Sequence, residues 1–62
     1  MTVREIIRQI EADGWELVRQ KGSHKQFRHP RKKGTVTVAG HRMNEEIPKG
    51  TEKSIKKQAG LK

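Results

Sequence analysis

The start of the chain carries branched aliphatic side chains at the spacing of one helical face: Val3, Ile6, Ile7 and Ile10. Residues at i, i+3, i+4 and i+7 lie on one side of an α-helix, and the polar residues between them face water. Thr2 followed by Glu5 matches a capping box, and Gly14 suits a left-handed residue at a helix end. We therefore predict a helix at about Val3 to Ala12, which needs an apolar surface to cover its buried side.

Three segments after this helix have the composition of β-strands. Trp15 to Gln20 combines aromatic and branched residues with polar ones, and Lys21-Gly22 gives a tight-turn signal. Ser23 to His29 predicts a second strand, which Pro30 ends because proline cannot donate to a ladder. Thr35 to Ala39 alternates threonine and valine, as is typical of a half-buried strand. The short links between these strands favour an antiparallel meander.

The last part of the chain predicts a second helix after an irregular stretch from Gly40 to Gly50. Thr51 can cap this helix, Ile55 and Ala59 share one face of it, and Gly60 ends it. The predicted order is α-β-β-β-α. We expect an α+β fold in which two helices pack on one face of a three-stranded antiparallel sheet. At 62 residues the chain has room for a single domain, residues 1–62.

Positive charge limits the kind of partner that this domain can bind. The sequence has 15 Lys and Arg residues against seven Asp and Glu residues, a net charge of +8. Such an excess favours a polyanion, RNA above all, although in many small basic proteins it serves only solubility. The absence of cysteine, of a signal peptide and of any apolar run of about 20 residues predicts a cytoplasmic protein without a membrane segment.

Strand periodicity predicts which residues point away from the helices. Side chains alternate along a strand, so placing Phe27 on the buried face puts His24, Gln26 and Arg28 on the opposite, uncovered face. The orientation of the first strand stays open, because two adjacent apolar residues within it face opposite ways.

His24 on this uncovered face is a candidate acid–base group. The ordinary pKa of an imidazole is about 6.5, so this group can both accept and donate a proton at neutral pH. RNA carries its own nucleophile, and its cleavage needs a base, an acid and cations at the phosphate. From spacing alone an ordinary surface histidine is the better-supported interpretation. His29 and His41 are candidates for a second acid–base group, although a structural or RNA-contacting role suits His29 better.

The predicted RNA contacts near His24 are Lys21, Gly22, Ser23, Lys25 and Arg28. Further predicted contacts are Arg31, Lys32 and Lys33, which with Gly34 form a basic loop before the third strand. The sequence has neither zinc-ligand spacing nor a glycine-rich phosphate loop, so we expect no metal and no small-molecule cofactor. A dyad of Ser23 and His24 is disfavoured, because adjacent strand residues face opposite ways.

Residues Gly22 to Pro30 read Gly-Ser-His-Lys-Gln-Phe-Arg-His-Pro. This run resembles the Gly-Ser-His-x-x-aromatic-x-His-Pro signature of HicA-type toxins, which belong to type II toxin–antitoxin systems. The tail from Ile47 to Leu61 resembles the closing helix of that family, so that the likeness covers nearly the whole chain. The sequence departs from the family at Ala39, where proline is frequent, and on the second helix, where Glu52 and Lys56 replace apolar residues.

The resemblance implies a double-stranded-RNA-binding-domain-like fold and the activity of an mRNA interferase. It also implies a HicB-type antitoxin that holds the toxin inactive. By position, His24 matches the catalytic histidine of the family, and Gly22 and Ser23 match its neighbours. We therefore predict a metal-independent endoribonuclease that cleaves mRNA. Two alternatives remain, a non-catalytic RNA-binding module and a protein-interaction domain for an acidic partner.

Overall fold

The computed structural model describes residues 1–61 and has the predicted element order. Its elements are the helix α1 (Val3–Ala12), the strands β1 (Glu16–Lys21), β2 (His24–Arg28) and β3 (Val36–Ala39), and the helix α2 (Lys49–Gln58). The strands form one antiparallel sheet in the order β1-β2-β3. The predicted α+β fold is therefore confirmed. Lys62, the last residue of the predicted domain, lies outside the described residues.

Helix α1 begins and ends as its sequence predicts. The Glu5 amide donates to the Thr2 hydroxyl at 3.2 Å, and the Thr2 amide donates to the Glu5 carboxylate at 2.8 Å, which completes the capping box. The helix ends at Ala12, and Gly14 follows with a positive φ of 110°. All four aliphatic residues of the predicted face are buried, so α1 covers the sheet with the side that its spacing indicates.

A tight turn joins β1 to β2. Lys21 pairs with His24, which leaves only Gly22 and Ser23 in the turn. Gly22 has a φ of 58° while Ser23 does not have a positive φ, and this combination fits a type II′ turn with glycine at its first central position. The Gln20 side-chain amide donates to the Gly22 carbonyl oxygen at 3.3 Å, which braces the turn.

A β-bulge in β1 settles the orientation that the sequence leaves open. Leu17 pairs with Phe27, but Arg19 pairs with Gln26, so Val18 is the extra residue. Leu17 and Val18 are 47% and 56% exposed, so neither belongs to the core. The bulge shifts the strand by one position and thereby turns Arg19 to the same face as Gln26.

The predicted start of the second helix is wrong. Thr51 lies inside α2, whose N-cap is Pro48 and which has no side-chain cap. The Glu52 amide donates to the Pro48 carbonyl oxygen at 2.9 Å, so the helical hydrogen bonds begin at the proline. The first amides of a helix have no acceptor within the helix, so the missing amide hydrogen of proline costs nothing there. Proline is therefore tolerated at a helix start better than in a helix interior. The sequence predicts the later start because threonine is the stronger capping residue.

The two helices share one core with one face of the sheet. Trp15 and Phe27 are its largest side chains, and both are 1% exposed. The remaining buried apolar residues come from both helices, β3 and the segment before α2: Val3, Ile6, Ile7, Ile10, Val36, Val38, Ile47, Ile55 and Ala59. The Trp15 indole donates to the Ala59 carbonyl oxygen at 3.2 Å, so the buried ring also joins the residue before β1 to the end of α2.

Candidate active site

His24 is the first residue of β2 and follows the tight turn directly. It pairs with Lys21 on one side and with Ala39 on the other, and its side chain is exposed. Phe27, three positions later, is buried under the helices. The prediction that these two side chains occupy opposite faces of the sheet is confirmed, and His24 lies on the face that no helix covers.

The residues around His24 form an open cleft of about 680 Å³. Its lining comes from the ends of β1 and β2, the turn between them and the segment after β3: Arg19, Lys21, Gly22, Ser23, His24, Gln26 and His41. We refer to this surface as the His24 cleft. Among residues 1–61, no carboxylate side chain contributes to its lining, while Arg19 and Lys21 contribute positive charge. The cleft therefore attracts an anionic group to the vicinity of an imidazole.

The other predicted RNA contacts lie outside this cleft. Lys25 pairs with Gln20 and Val38, so it lies on the sheet face opposite His24. Arg28 shares the face of His24 but lies at the far end of β2, on the order of 13 Å away at the usual rise per strand residue. There it borders a smaller concavity of about 260 Å³ with Lys33 and Gly34. Arg31 is exposed in the same loop.

Lys32 has an intramolecular role that the sequence does not reveal. Its ammonium donates to the Asp13 carboxylate at 2.5 Å and to the Ala59 carbonyl oxygen at 3.0 Å. It therefore joins the end of α1 to the end of α2. The hydrogen bond from Lys32 lowers the pKa of Asp13 below its ordinary value of 3.8. That Lys32 also contacts RNA stays a prediction.

His29 is held by main-chain groups on both sides of its ring. Its Nδ1 accepts from the amides of Arg31 and Lys32 at 3.0 and 3.2 Å. With Nδ1 as the acceptor, the proton of the neutral ring is on Nε2, which donates to the Asp13 carbonyl oxygen at 2.7 Å. The ring packs edge-on against Trp15, with centroids 5.4 Å apart. These contacts give His29 a structural role at the start of the basic loop.

Arg19 is the cleft residue that sequence reasoning missed. Strand alternation alone does not determine which face of the sheet the Arg19 side chain occupies, because the bulge at Val18 interrupts the alternation. The only sequence signal is the adjacent pair Leu17-Val18, which cannot both face the core of a regular strand. The sequence predicts Gln26 on this face and names His41 as a candidate acid–base group, but it does not place His41 beside His24.

The family model of the HicA toxins of bacterial toxin–antitoxin systems matches residues 3–61. The chain belongs to this family. The match includes both helices, the sheet and every residue that lines the His24 cleft. No curated protein matches the chain significantly.

Membership of the HicA family makes this protein a toxin of a toxin–antitoxin system and implies a cognate antitoxin as its partner. The α+β fold is consistent with a double-stranded-RNA-binding-domain-like domain. Neither helix within residues 1–61 is long and apolar enough to cross a membrane.

Proposed function

We propose that this HicA-family toxin is an endoribonuclease that cleaves mRNA, with His24 as an acid–base group and Arg19 and Lys21 as phosphate ligands. The observation that carries the proposal is an exposed imidazole next to two cations, on the one sheet face that the helices leave uncovered. The HicA resemblance supports the same assignment for His24.

The proposed chemistry follows from the groups that take part in RNA cleavage. The 2′-hydroxyl is the nucleophile, so the protein has to accept its proton, neutralise the phosphate and protonate the leaving 5′ oxygen. Lys21 is the cross-strand neighbour of His24, and such neighbours have Cβ atoms about 5 Å apart. Lys21 can therefore bind a phosphate oxygen while His24 reaches an oxygen bonded to the same phosphorus.

The proposed reaction uses side chains in place of a metal ion. Arg19 and Lys21 neutralise the negative charge of the phosphate, and an arginine can bind two phosphate oxygens at once. Within the part of the chain that the structure describes, no three His, Asp or Glu side chains form a group that could hold a metal ion. We expect cleavage to continue at the same rate when EDTA is added.

The proposed inhibitor is a HicB-type antitoxin that covers the His24 cleft. The net charge of +8 favours an acidic partner and speeds its association. Covering the cleft would exclude RNA and silence the toxin without any change in its fold.

The test is a paired measurement of single-turnover cleavage and RNA affinity for the wild type and His24→Ala. We expect the cleavage rate to fall by a factor of about 10²–10⁴, with RNA affinity nearly unchanged, because Lys and Arg contacts to phosphates supply most of the affinity. Lys57→Ala, on the exposed surface of α2, controls for a general change in surface charge. If His24→Ala cleaves like the wild type while both bind RNA, the protein is an RNA-binding module and the catalytic proposal is wrong.

A further inference from the structure

His41 is brought to the His24 cleft by the way β3 ends. Ala39 pairs with His24, and the Gly40 amide then donates to the Ser23 carbonyl oxygen at 3.0 Å. The main chain therefore stays beside the tight turn for one residue beyond β3. His41 comes next, two positions after Ala39, and its exposed side chain lines the cleft together with His24.

Two further contacts hold the main chain at Gly40 and at His41. Gly40 is buried so closely against α1 that an added Cβ would lie 2.6 Å from the Val3 side chain. The His41 amide itself donates to the Glu45 carboxylate at 3.2 Å. The position from which the His41 side chain projects is therefore determined by the packing of the sheet against α1.

Imidazole is the side chain that most often acts as a general acid or base, and His41 is the second residue of the cleft that carries one. The cleft has no carboxylate from the described part of the chain, and its serine and glutamine side chains are poor proton carriers. His29 is unsuited, because both of its ring nitrogens are engaged with main-chain groups and its side chain is 9% exposed. Within residues 1–61, His24 and His41 are thus the two histidines that share a concave surface.

We propose that His24 and His41 divide the two proton transfers of RNA cleavage, one as the base and the other as the acid. This inference rests on the proposed endoribonuclease function. The O2′–P bond forms as the 2′ proton passes to the neutral imidazole. The P–O5′ bond breaks as the protonated imidazole gives its proton to O5′. The products are a 2′,3′-cyclic phosphate and a 5′-hydroxyl, and solvent then restores the two rings to their starting protonation states.

The experiment compares two RNA substrates that differ in the leaving atom. One is ordinary RNA, and the other has sulfur in place of the bridging 5′ oxygen at the cleavage site. A thiolate leaves readily without a proton, so the sulfur substrate needs the base but not the acid. His24→Ala, His41→Ala and His41→Gln are assayed on both, with Asn44→Ala as the control, since Asn44 is an exposed, uncharged residue of the same loop.

We expect His24→Ala and both His41 variants to cleave ordinary RNA about 10²–10⁴-fold more slowly than the wild type, because each loses one proton transfer. On the sulfur substrate, the variants of one histidine should recover to within about tenfold of the wild type, while those of the other should stay slow. Asn44→Ala should cleave both substrates normally. Circular dichroism and RNA affinity would show whether each variant is folded, and His41→Gln retains a polar side chain if His41→Ala is unstable.

Each other outcome overturns the inference in a distinguishable way. Normal cleavage of ordinary RNA by folded His41→Ala or His41→Gln would show that His41 transfers no proton, while leaving the role of His24 intact. Rescue of the variants of both histidines, or of neither, would mean that the two residues do not divide the acid and base roles. A wild type that binds RNA without cleaving it would instead refute the proposed endoribonuclease function itself.

Discussion

The Nε2 atom of His29 lies 2.7 Å from the carbonyl oxygen of Asp13, which joins the residue after β2 to the residue after α1. Gly14 adjoins this contact, since a Cβ added to Gly14 would lie 2.7 Å from the same Nε2 atom. The Lys32 ammonium reaches the Asp13 carboxylate from the basic loop. The ends of α1, α2 and β2 are therefore held together by polar contacts at one edge of the core.

Replacing Gly14 with alanine should disrupt this edge. Gly14 has a φ of 110° and no room for a Cβ, so we expect Gly14→Ala to lower the free energy of unfolding by at least about 2 kcal/mol. Gly34→Ala is the matched control, because Gly34 also has a positive φ, of 90°, but nothing within 4 Å of an added Cβ. It should cost about 1 kcal/mol. Urea denaturation measures both, and equal losses would show that the close approach to His29 has no energetic effect.

The adjacent lysines of the basic loop should have separate roles. Lys33 is exposed, and we expect Lys33→Ala to weaken RNA binding and reduce the salt-dependence slope by about 0.7, with little effect on the melting temperature. Lys32→Ala should lower the melting temperature, because it removes the hydrogen bonds to Asp13 and Ala59. Affinity titrations at several salt concentrations, together with thermal melts, distinguish the two. If Lys33→Ala lowered the melting temperature as much as Lys32→Ala, this division of roles would be wrong.

The interaction between Lys32 and Asp13 should make stability depend on acid pH. The pKa of Asp13 is lowered in the folded state, so its contribution to stability is present above the ordinary value of 3.8 and is lost as the pH falls through the lowered value. Wild type should therefore be more stable than Asp13→Asn at pH 6, and the difference should shrink below about pH 4. Glu11→Gln, which removes an exposed carboxylate two positions before Asp13, controls for the change in net charge. A difference between wild type and Asp13→Asn that persisted undiminished at about pH 2 would contradict the assignment.

An antitoxin that covers the His24 cleft should compete with RNA. We expect the affinity of the toxin for RNA to fall sharply when it is saturated with its antitoxin, because both partners would occupy the surface that carries Arg19 and Lys21. Lys21→Glu should weaken both interactions, whereas Lys57→Glu, on the exposed surface of α2, should weaken neither by more than a few-fold, on the order expected for a remote charge. Fluorescence anisotropy of labelled RNA measures the competition. Formation of a ternary complex with undiminished RNA affinity would exclude inhibition by occlusion.

The sequence predicts the elements whose determinants lie close together in the chain. Helix α1 follows from the spacing of its aliphatic residues and from a capping box that joins Thr2 to Glu5. The face of β2 that carries His24 follows from strand alternation and from the burial of Phe27. In each case residues a few positions apart decide the outcome, because a helical turn and a strand repeat are themselves only a few residues long.

The tertiary structure decides the features that depend on distant partners. The bulge that turns Arg19 into the cleft reflects the pairing of β1 with β2. The contacts of His29 and Lys32 with Asp13 span 16 and 19 residues. His41 reaches His24 because β3 pairs with β2 and Gly40 packs against α1. Composition and local periodicity carry no information about such contacts, since only the packing of the elements determines which side chains become neighbours.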